Sequence, residues 1–322
     1  VVDGLCAGTA AMIACMADVV IMTEKSELFM TAPFTADDKT AGAGTAENAA
    51  KSGVAAILAK DSDEAIAKAK QLLSVLPANN LETAGNDYYM ENDAAVSADL
   101  KGIELISSVA DKESVIELYK QFGTSAVTAI GSLNWRTAGF VATNNGAKLT
   151  ADDSAKIARF VTLCDAYSIP VVTFVDSEGF EKSSAAELAG SIRDSAKLAQ
   201  AYASATTAKI AVVTGKAYGS AYVALASTAA GSDFTFAWEG AVIAPTTPEA
   251  AVVFLNGVSE DNAKQAQEYA DNEADAFTAA ANGYVDRVIT AEDTKSALTS
   301  AIEATSSKRV VTPAKKHVNF VY

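Results

Sequence analysis

Apolar residues along this chain recur at two spacings, and the spacings divide it into helices and strands. Ala65, Ile66, Ala69, Leu72 and Leu73 fall at three- and four-residue intervals, which predicts a helix over residues 61–74 with Asp61 or Ser62 as N-cap. The same interval predicts helices over 45–52, over 111–122 from Val115, Ile116, Leu118 and Tyr119, over 151–167, and over the Ala-rich stretch 185–205, with another starting in 8–17. Short apolar runs predict strands at 19–22, 28–31, 54–58, 171–175 and 210–214. Residues 125–143 alternate as two strands around Asn134-Trp135-Arg136, which suits a hairpin. The polar stretch 81–100 reads as a connection. Strand, helix and strand follow one another repeatedly, so the expected class is α/β with right-handed βαβ units and ligand-contacting backbone where strands end and helices begin.

A repeat is superimposed on this pattern. Gly4-Leu5-Cys6-Ala7-Gly8-Thr9-Ala10-Ala11 has the register of Gly215-Lys216-Ala217-Tyr218-Gly219-Ser220-Ala221-Tyr222. Each copy runs on to an Asp-led apolar segment, at Asp18 and at Asp233, and the segments 49–58 and 279–288 also match. Two such copies imply two related halves. Glycines allow a sharp turn and close approach of a ligand, and the first turn of a helix offers N–H groups with no intrahelical acceptor. Two N–H groups aimed at one point form an oxyanion hole. The same composition also suits close-packed helix starts, and the shared register favours a function for the backbone.

Composition narrows the alternatives. With 322 residues, 50% apolar and 20% charged, the chain can bury the cores of two domains. Its formal charge of -15 argues against a nucleic-acid partner. The uncharged run 4–17 is too short to span a bilayer and 210–230 is interrupted by Lys216, so no membrane span is expected. Cys6, Cys15 and Cys164 show no ligand spacing and read as reduced thiols in apolar surroundings, consistent with a cytosolic protein. One histidine, His317, leaves little material for a Ser-His-Asp triad or a zinc site, and no metal is expected. Lys216 has neither the glycine nor the Ser/Thr of a phosphate-binding loop around it, and Gly42-Ala43-Gly44 lacks a third glycine.

Longer stretches carry a family likeness. The segment from Phe160 to Thr173, then Asp176-Ser177-Glu178-Gly179-Phe180, Lys216-Ala217-Tyr218-Gly219-Ser220-Ala221-Tyr222 and Phe236-Ala237-Trp238, resembles the carboxyltransferase subunits of biotin-dependent acyl-CoA carboxylases and decarboxylases. Leu76-Pro77-Ala78-Asn79-Asn80, Lys308-Arg309 and Lys315-Lys316-His317 extend the resemblance over nearly the whole chain. It implies two crotonase-like (ββα) spiral halves with the first half incomplete: residues 1–80 as a remnant of the N-terminal, CoA-side half, 81–110 as connection, and 111–322 as the C-terminal, biotin-side half. Val1-Val2-Asp3 then reads as the end of a strand that begins earlier in the family, with an exposed sheet edge as the expected result.

The resemblance further implies carboxyl transfer between carboxybiotin and a small acyl-CoA. Backbone N–H groups of Ser220 and Ala221 would hold the biotin ureido oxygen, and those of Thr9 and Ala10 the thioester enolate, with Gly8, Gly219, Tyr222 and Val223 lining the substrates. Many members have glycine where Thr9 and Ser220 stand; the donor N–H survives, but a side chain is added beside the ligand. Implied partners are acyl-CoA, a biotin carboxyl carrier protein, a biotin carboxylase or a membrane decarboxylase subunit, and further copies of the chain. The implied location is cytoplasmic, reaching the membrane's inner face only through partner subunits. Two other readings stay open: a non-catalytic assembly fragment, and a crotonase-type hydratase or isomerase. The latter usually sets one or two Glu beside the oxyanion hole, and none follows either turn in sequence.

Overall fold

A computed structural model describes residues 1–37, 42–82, 90, 92–143 and 148–311; the 315–317 part of the family likeness, with His317, lies outside them. Strand β1 (Leu5–Ala7) passes through Gly8 into helix α1 (Thr9–Cys15), followed by β2 (Ile21–Thr23) and β3 (Glu27–Phe29). Thr45 caps α2 (Ala46–Lys51) by accepting from Asn48 N at 3.3 Å, and the chain continues through β4 (Ile57–Ala59) to α3 (Ser62–Val75). Asp61 caps that helix, accepting from Glu64 N at 3.0 Å. Next come α4 (Gly102–Val109), β5 (Ile116–Leu118), the hairpin β6 (Ala126–Leu133) and β7 (Arg136–Thr143), α5 (Ala151–Ala166) and β8 (Val171–Ser177). Helices α6 (Ser184–Ala189) and α7 (Ser191–Ser204) lead to β9 (Lys209–Tyr218), α8 (Ser220–Leu225), β10 (Phe234–Trp238) and β11 (Val242–Ala244). The described chain closes with α9 (Pro248–Asn256), α10 (Asn262–Asn272), α11 (Ala276–Ala281), β12 (Arg287–Ile289) and α12 (Thr294–Ala304).

One sheet organises the fold, in the order β12-β10-β9-β8-β7-β6-β5, with β11 also paired to β9. The hairpin end is antiparallel and the remainder parallel. Alternate residues of β8 and β9 serve two cores. Val171, Val175, Ala211 and Val213 meet Phe160 and Cys164 of α5 and Leu198 of α7, while Val172, Phe174, Ile210 and Val212 meet Ile106 of α4 and Leu298 of α12. Because both faces are covered, these strands are apolar without alternation. The first repeat joins the former core through Ile21, Ile57, Ala65 and Leu72, so it packs on the sheet rather than standing apart.

The repeat is reproduced down to strand register. Ile21, Met22 and Thr23 pair with Ile57, Leu58 and Ala59, as Phe236, Ala237 and Trp238 pair with Arg287, Val288 and Ile289. Leu5, Cys6 and Ala7 pair with Glu27, Leu28 and Phe29, as Lys216, Ala217 and Tyr218 pair with Val242, Ile243 and Ala244. Even single bridges recur, Glu27 to Thr45 and Val242 to Asp275. Among the described residues the second copy alone carries two further helices, α9 and α10, between β11 and α11, the counterparts of β3 and α2.

Five expectations are corrected. Residues 111–122 form no helix: Ile116 and Leu118 are buried around a half-exposed Glu117, the two-residue period of a strand, and positive φ at Glu113 (62°) and Tyr119 (58°) interrupts the chain on either side. The region read as connection contains α4, whose Leu105, Ile106 and Val109 cover the sheet. The helix expected over 185–205 is broken by Gly190, which takes a left-handed conformation at φ 78°. Strand β9 runs on through Gly215, so the turn is at Gly219 alone. Of the three thiols, Cys164 is buried with its acidity suppressed by desolvation and half-buried Cys6 packs against the core of the first copy, whereas Cys15 is exposed, against the apolar surroundings expected for it.

Lys156 is the largest buried cation of α5. Its Nζ donates to Ala126 O at 2.7 Å and Gly123 O at 3.3 Å, and burial lowers its pKa from 10.5 to about 8. Between those values the unfolded chain binds the extra proton, so this residue's contribution to stability rises with pH through about 8 to 10.5. Thermal unfolding in buffers across that window is expected to show the rise in the wild type, measured as a difference from Lys156→Met, in which it disappears.

Candidate active site

The site is built from the end of β9, the Gly219 turn and the start of α8. Gly219 sits at φ 54°, ψ -126°, a conformation that glycine adopts without a Cβ penalty. Its N–H donates to Ala244 O at 2.9 Å and its carbonyl accepts from Val223 N at 3.1 Å, so both sides of the turn are fixed. The N–H groups of Ser220 and Ala221, in the first turn of α8, have no acceptor among the described residues. Ala221, Ala224 and Leu225 are buried and anchor the helix, while Ser220 is exposed. Two N–H donors without acceptors among the described residues therefore stand at the first turn of α8, that of Ser220 on an exposed residue and that of Ala221 on a buried one.

The first turn repeats this geometry. Gly8 lies at φ 60°, ψ -129°, donates to Phe29 O at 2.9 Å and accepts from Met12 N at 3.1 Å. The N–H groups of Thr9 and Ala10 likewise lack acceptors among the described residues. Both turns arise for one reason: a strand pinned to a parallel neighbour must reverse into a helix within a single residue, and glycine supplies the required φ. No hydrogen bond or ion pair among the described residues links the two turns, and each stands on its own strand pair.

The two glycines differ in surroundings. A Cβ on Gly219 would lie 2.9 Å from Pro245 O, whereas one on Gly8 would meet nothing within 4 Å. Backbone strain being common to both, Gly219→Ala is expected to lose more stability than Gly8→Ala, by about 1–3 kcal/mol on the scale of overpacking. Urea unfolding of the two variants measures this, and equal losses would refute a contribution from Pro245.

The flanking residues play unequal parts. Tyr222 donates its hydroxyl to Tyr284 O at 2.6 Å and packs edge-on against the Tyr284 ring, and desolvation pushes its pKa up to about 12. Its phenol thus clamps α8 to the loop after α11. Val223 is 52% exposed one turn into the helix, on open surface.

Sequence reasoning passed over an acidic device beneath the turn. The pairing of β8 with β9 skips from Val175–Val213 to Ser177–Ala217, and the carboxylate of Asp176 occupies the bulge, accepting from Lys216 N at 3.0 Å. A Cβ on Gly215 would lie 2.5 Å from Asp176 Oδ1, so glycine there makes room for the carboxylate. Beside it Lys216 Nζ pairs with Glu178 Oε1 at 2.7 Å; the hydrogen bond lowers the Glu178 pKa and raises that of Lys216, keeping both charged. Glu178 and Glu249 both act electrostatically on Tyr218, the last residue before the turn. Glutamates thus stand near the turn in space although none follows it in sequence, and Glu178 is held as an ionised partner of Lys216.

A chain that twice sets a strand, a glycine turn and a short helix in one register, each copy on its own parallel strand pair, has the crotonase-like architecture. Residues 1–320 match the carboxyl transferase domain, and the chain belongs to that family. It is 35% identical to the methylmalonyl-CoA carboxyltransferase 12S subunit of Propionibacterium freudenreichii subsp. shermanii, over 99% of this chain and 67% of that protein. Identity to the propionyl-CoA carboxylase beta chain of Cereibacter sphaeroides is 33%, over 99% of this chain and 67% of that one. A solved structure of transcarboxylase 12S, described as a hexamer with methylmalonyl-coenzyme A and methylmalonic acid bound, matches with a TM-score of 0.91 at 35% identity, over 99% of this chain and 67% of the other. The chain thus spans about two thirds of these relatives. Among the described residues no helix is long and apolar enough to cross a membrane, and no group of three or more His, Cys, Asp or Glu is placed to hold a metal.

Proposed function

We propose that the chain transfers a carboxyl group between carboxybiotin, carried on a separate protein, and a small acyl-CoA of the methylmalonyl or propionyl type. The observation that carries this reading is the pair of glycine turns in the same conformation, each with two N–H groups that have no acceptor among the described residues. Ser220 and Ala221 serve the biotin ureido oxygen, and Thr9 and Ala10 the thioester enolate. Biotin supplies the carboxyl group and, once decarboxylated, the base, so the protein needs oriented donors more than an acid-base side chain. Biotin and CoA are implied by the relatives, and an exposed turn with backbone donors on short helices suits both oxyanions.

Assembly belongs to the same reading. Met12 and Ile13 on α1 and Met16 just after it are exposed, as are Leu188 and Ile192 near the start of α7 and Phe254 and Leu255 on α9. Apolar surface of that extent supports contact between copies, in keeping with the hexameric relative. The reading is tested by following labelled carboxylate from methylmalonyl-CoA to biotin or its carrier in the intact protein. Transfer dependent on both substrates supports it; hydration or isomerisation of an enoyl-CoA without carboxyl transfer overturns it.

A further inference from the structure

We propose a second ligand site, for a small organic anion, at the end of the sheet opposite the Gly219 turn. A cavity of about 350 Å³ opens there, within the range of small-molecule sites, and Ala208, immediately before β9, forms part of its wall. Strand β9 has 10 residues, so at roughly 3.3 Å per residue the cavity lies about 30 Å from the turn at its other end. The inference does not depend on the carboxyl-transfer reading.

The wall has a charged side and an apolar side. Arg136, Lys308 and Arg309 supply the cations. Lys308 is already committed, to Asp233 at 2.8 Å and to Thr207 O at 3.1 Å. Among the described residues the guanidinium of Arg309 meets the Lys308 carbonyl at 2.7 Å and no carboxylate, and Arg136 has no carboxylate partner. Two guanidinium groups therefore border a cavity whose lining includes one carboxylate, Glu82, which accepts from Asn79 Nδ2 at 2.9 Å. Nearby Asp165 is occupied by the backbone N–H groups of Thr206 and Thr207, at 2.7 and 2.9 Å. Arginines without a carboxylate partner among the described residues, bordering a cavity on a chain of net charge -15, mark a place for an anion. Pro170 and Val310 supply the accessible apolar lining, above Ile169 and Ile302, which are almost wholly buried.

The arginine is also presented rigidly. Arg136 follows Asn134 and Trp135, both at positive φ (48° and 73°), and the buried carboxylate of Asp111 accepts from both of their N–H groups, at 3.1 and 3.2 Å. Ser168, on the opposite wall, is likewise left-handed at φ 56° and donates to Asn80 O at 3.2 Å. A preorganised guanidinium loses little freedom on binding. The ligand class that fits is a carboxylate or phosphate monoester with a short apolar body, its head on Arg136 and Arg309 and its body on Pro170 and Val310. Asn80 follows the last helix of the first repeat and Ile302 lies in the last helix of the second, so such a ligand bridges the two copies.

Calorimetric titration of the intact protein with butyl phosphate, butyrate and inorganic phosphate in low-salt buffer tests the site. Butyl phosphate or butyrate is expected to bind with Kd below about 1 mM; the tighter of the two identifies the head group. Inorganic phosphate, lacking the apolar body, should bind at least about tenfold more weakly, and Arg136→Gln and Arg309→Gln should each weaken the organic probe by about tenfold or more. Ser220→Gly leaves the binding unchanged, and melting temperatures establish that each variant is folded. No heat from either organic probe, equal binding of inorganic phosphate, or undiminished binding by the folded double variant Arg136→Gln/Arg309→Gln overturns the proposal.

Discussion

Ser220→Pro is expected to lower carboxyl transfer by about 10²–10³, the cost of one lost oxyanion donor. The variant is informative because of where Ser220 lies. It is the first residue of α8, where proline's fixed φ suits a helix and its missing N–H removes no intrahelical hydrogen bond. The change therefore deletes the N–H proposed to face the ligand while leaving α8 its own hydrogen bonds. Ser220→Gly keeps the donor and is expected to retain the rate within about tenfold, because glycine relaxes the turn without removing the group that acts. Circular dichroism and oligomer size confirm that both variants fold. A folded, inactive Ser220→Gly protein would make the hydroxyl essential and end the backbone-donor account.

Asp111→Ala is expected to give the largest loss of stability outside the site, roughly 3 kcal/mol, read by urea denaturation. The Asp111 carboxylate is 1% exposed and accepts from Ser132 Oγ at 2.6 Å and from the N–H groups of Asn134 and Trp135. Alanine strands a buried hydroxyl and loosens a turn whose two central residues are left-handed without being glycine. Asp111→Asn retains one acceptor but turns an NH₂ toward donors, so an intermediate loss is expected. If both variants unfold within about 0.5 kcal/mol of the wild type, like ordinary surface substitutions, the carboxylate does not hold the hairpin.

What the sequence disclosed followed from local rules, and what it concealed came mainly from long-range contact. Asp61, with its spaced apolar residues, announced α3; the alternation on either side of Asn134 announced the hairpin; and the repeated glycines announced both turns. Val115 to Tyr119 misled because an i, i+1, i+3, i+4 set fits a helical face and also a strand buried on both sides; only β6 beside it decides. Gly190 inside an Ala-rich run is the left-handed C-cap of α6, its N–H bonded to the carbonyls of Ala186 and Glu187, a local stop that the apolar spacing around it masked. Asp176 entered the sequence reading only through resemblance, since a carboxylate filling a bulge is defined by Gly215 on another strand. Asp111 was legible only as a boundary, because its partners lie 21 to 24 positions away.

The matched torsions of Gly8 and Gly219 have a consequence for how such a duplicated chain can diverge. The neighbours of the two glycines differ, Ala7 and Thr9 against Tyr218 and Ser220, yet the turns keep φ of 60° and 54° and ψ of -129° and -126°. What the copies share is therefore stored in main-chain shape, and the side chains around it are spare alphabet. One copy could acquire α9 and α10, a bulged approach and a phenolic clamp while the other stayed plain, without moving either pair of amides. A single ancestral grip can in this way come to hold two chemically unlike guests.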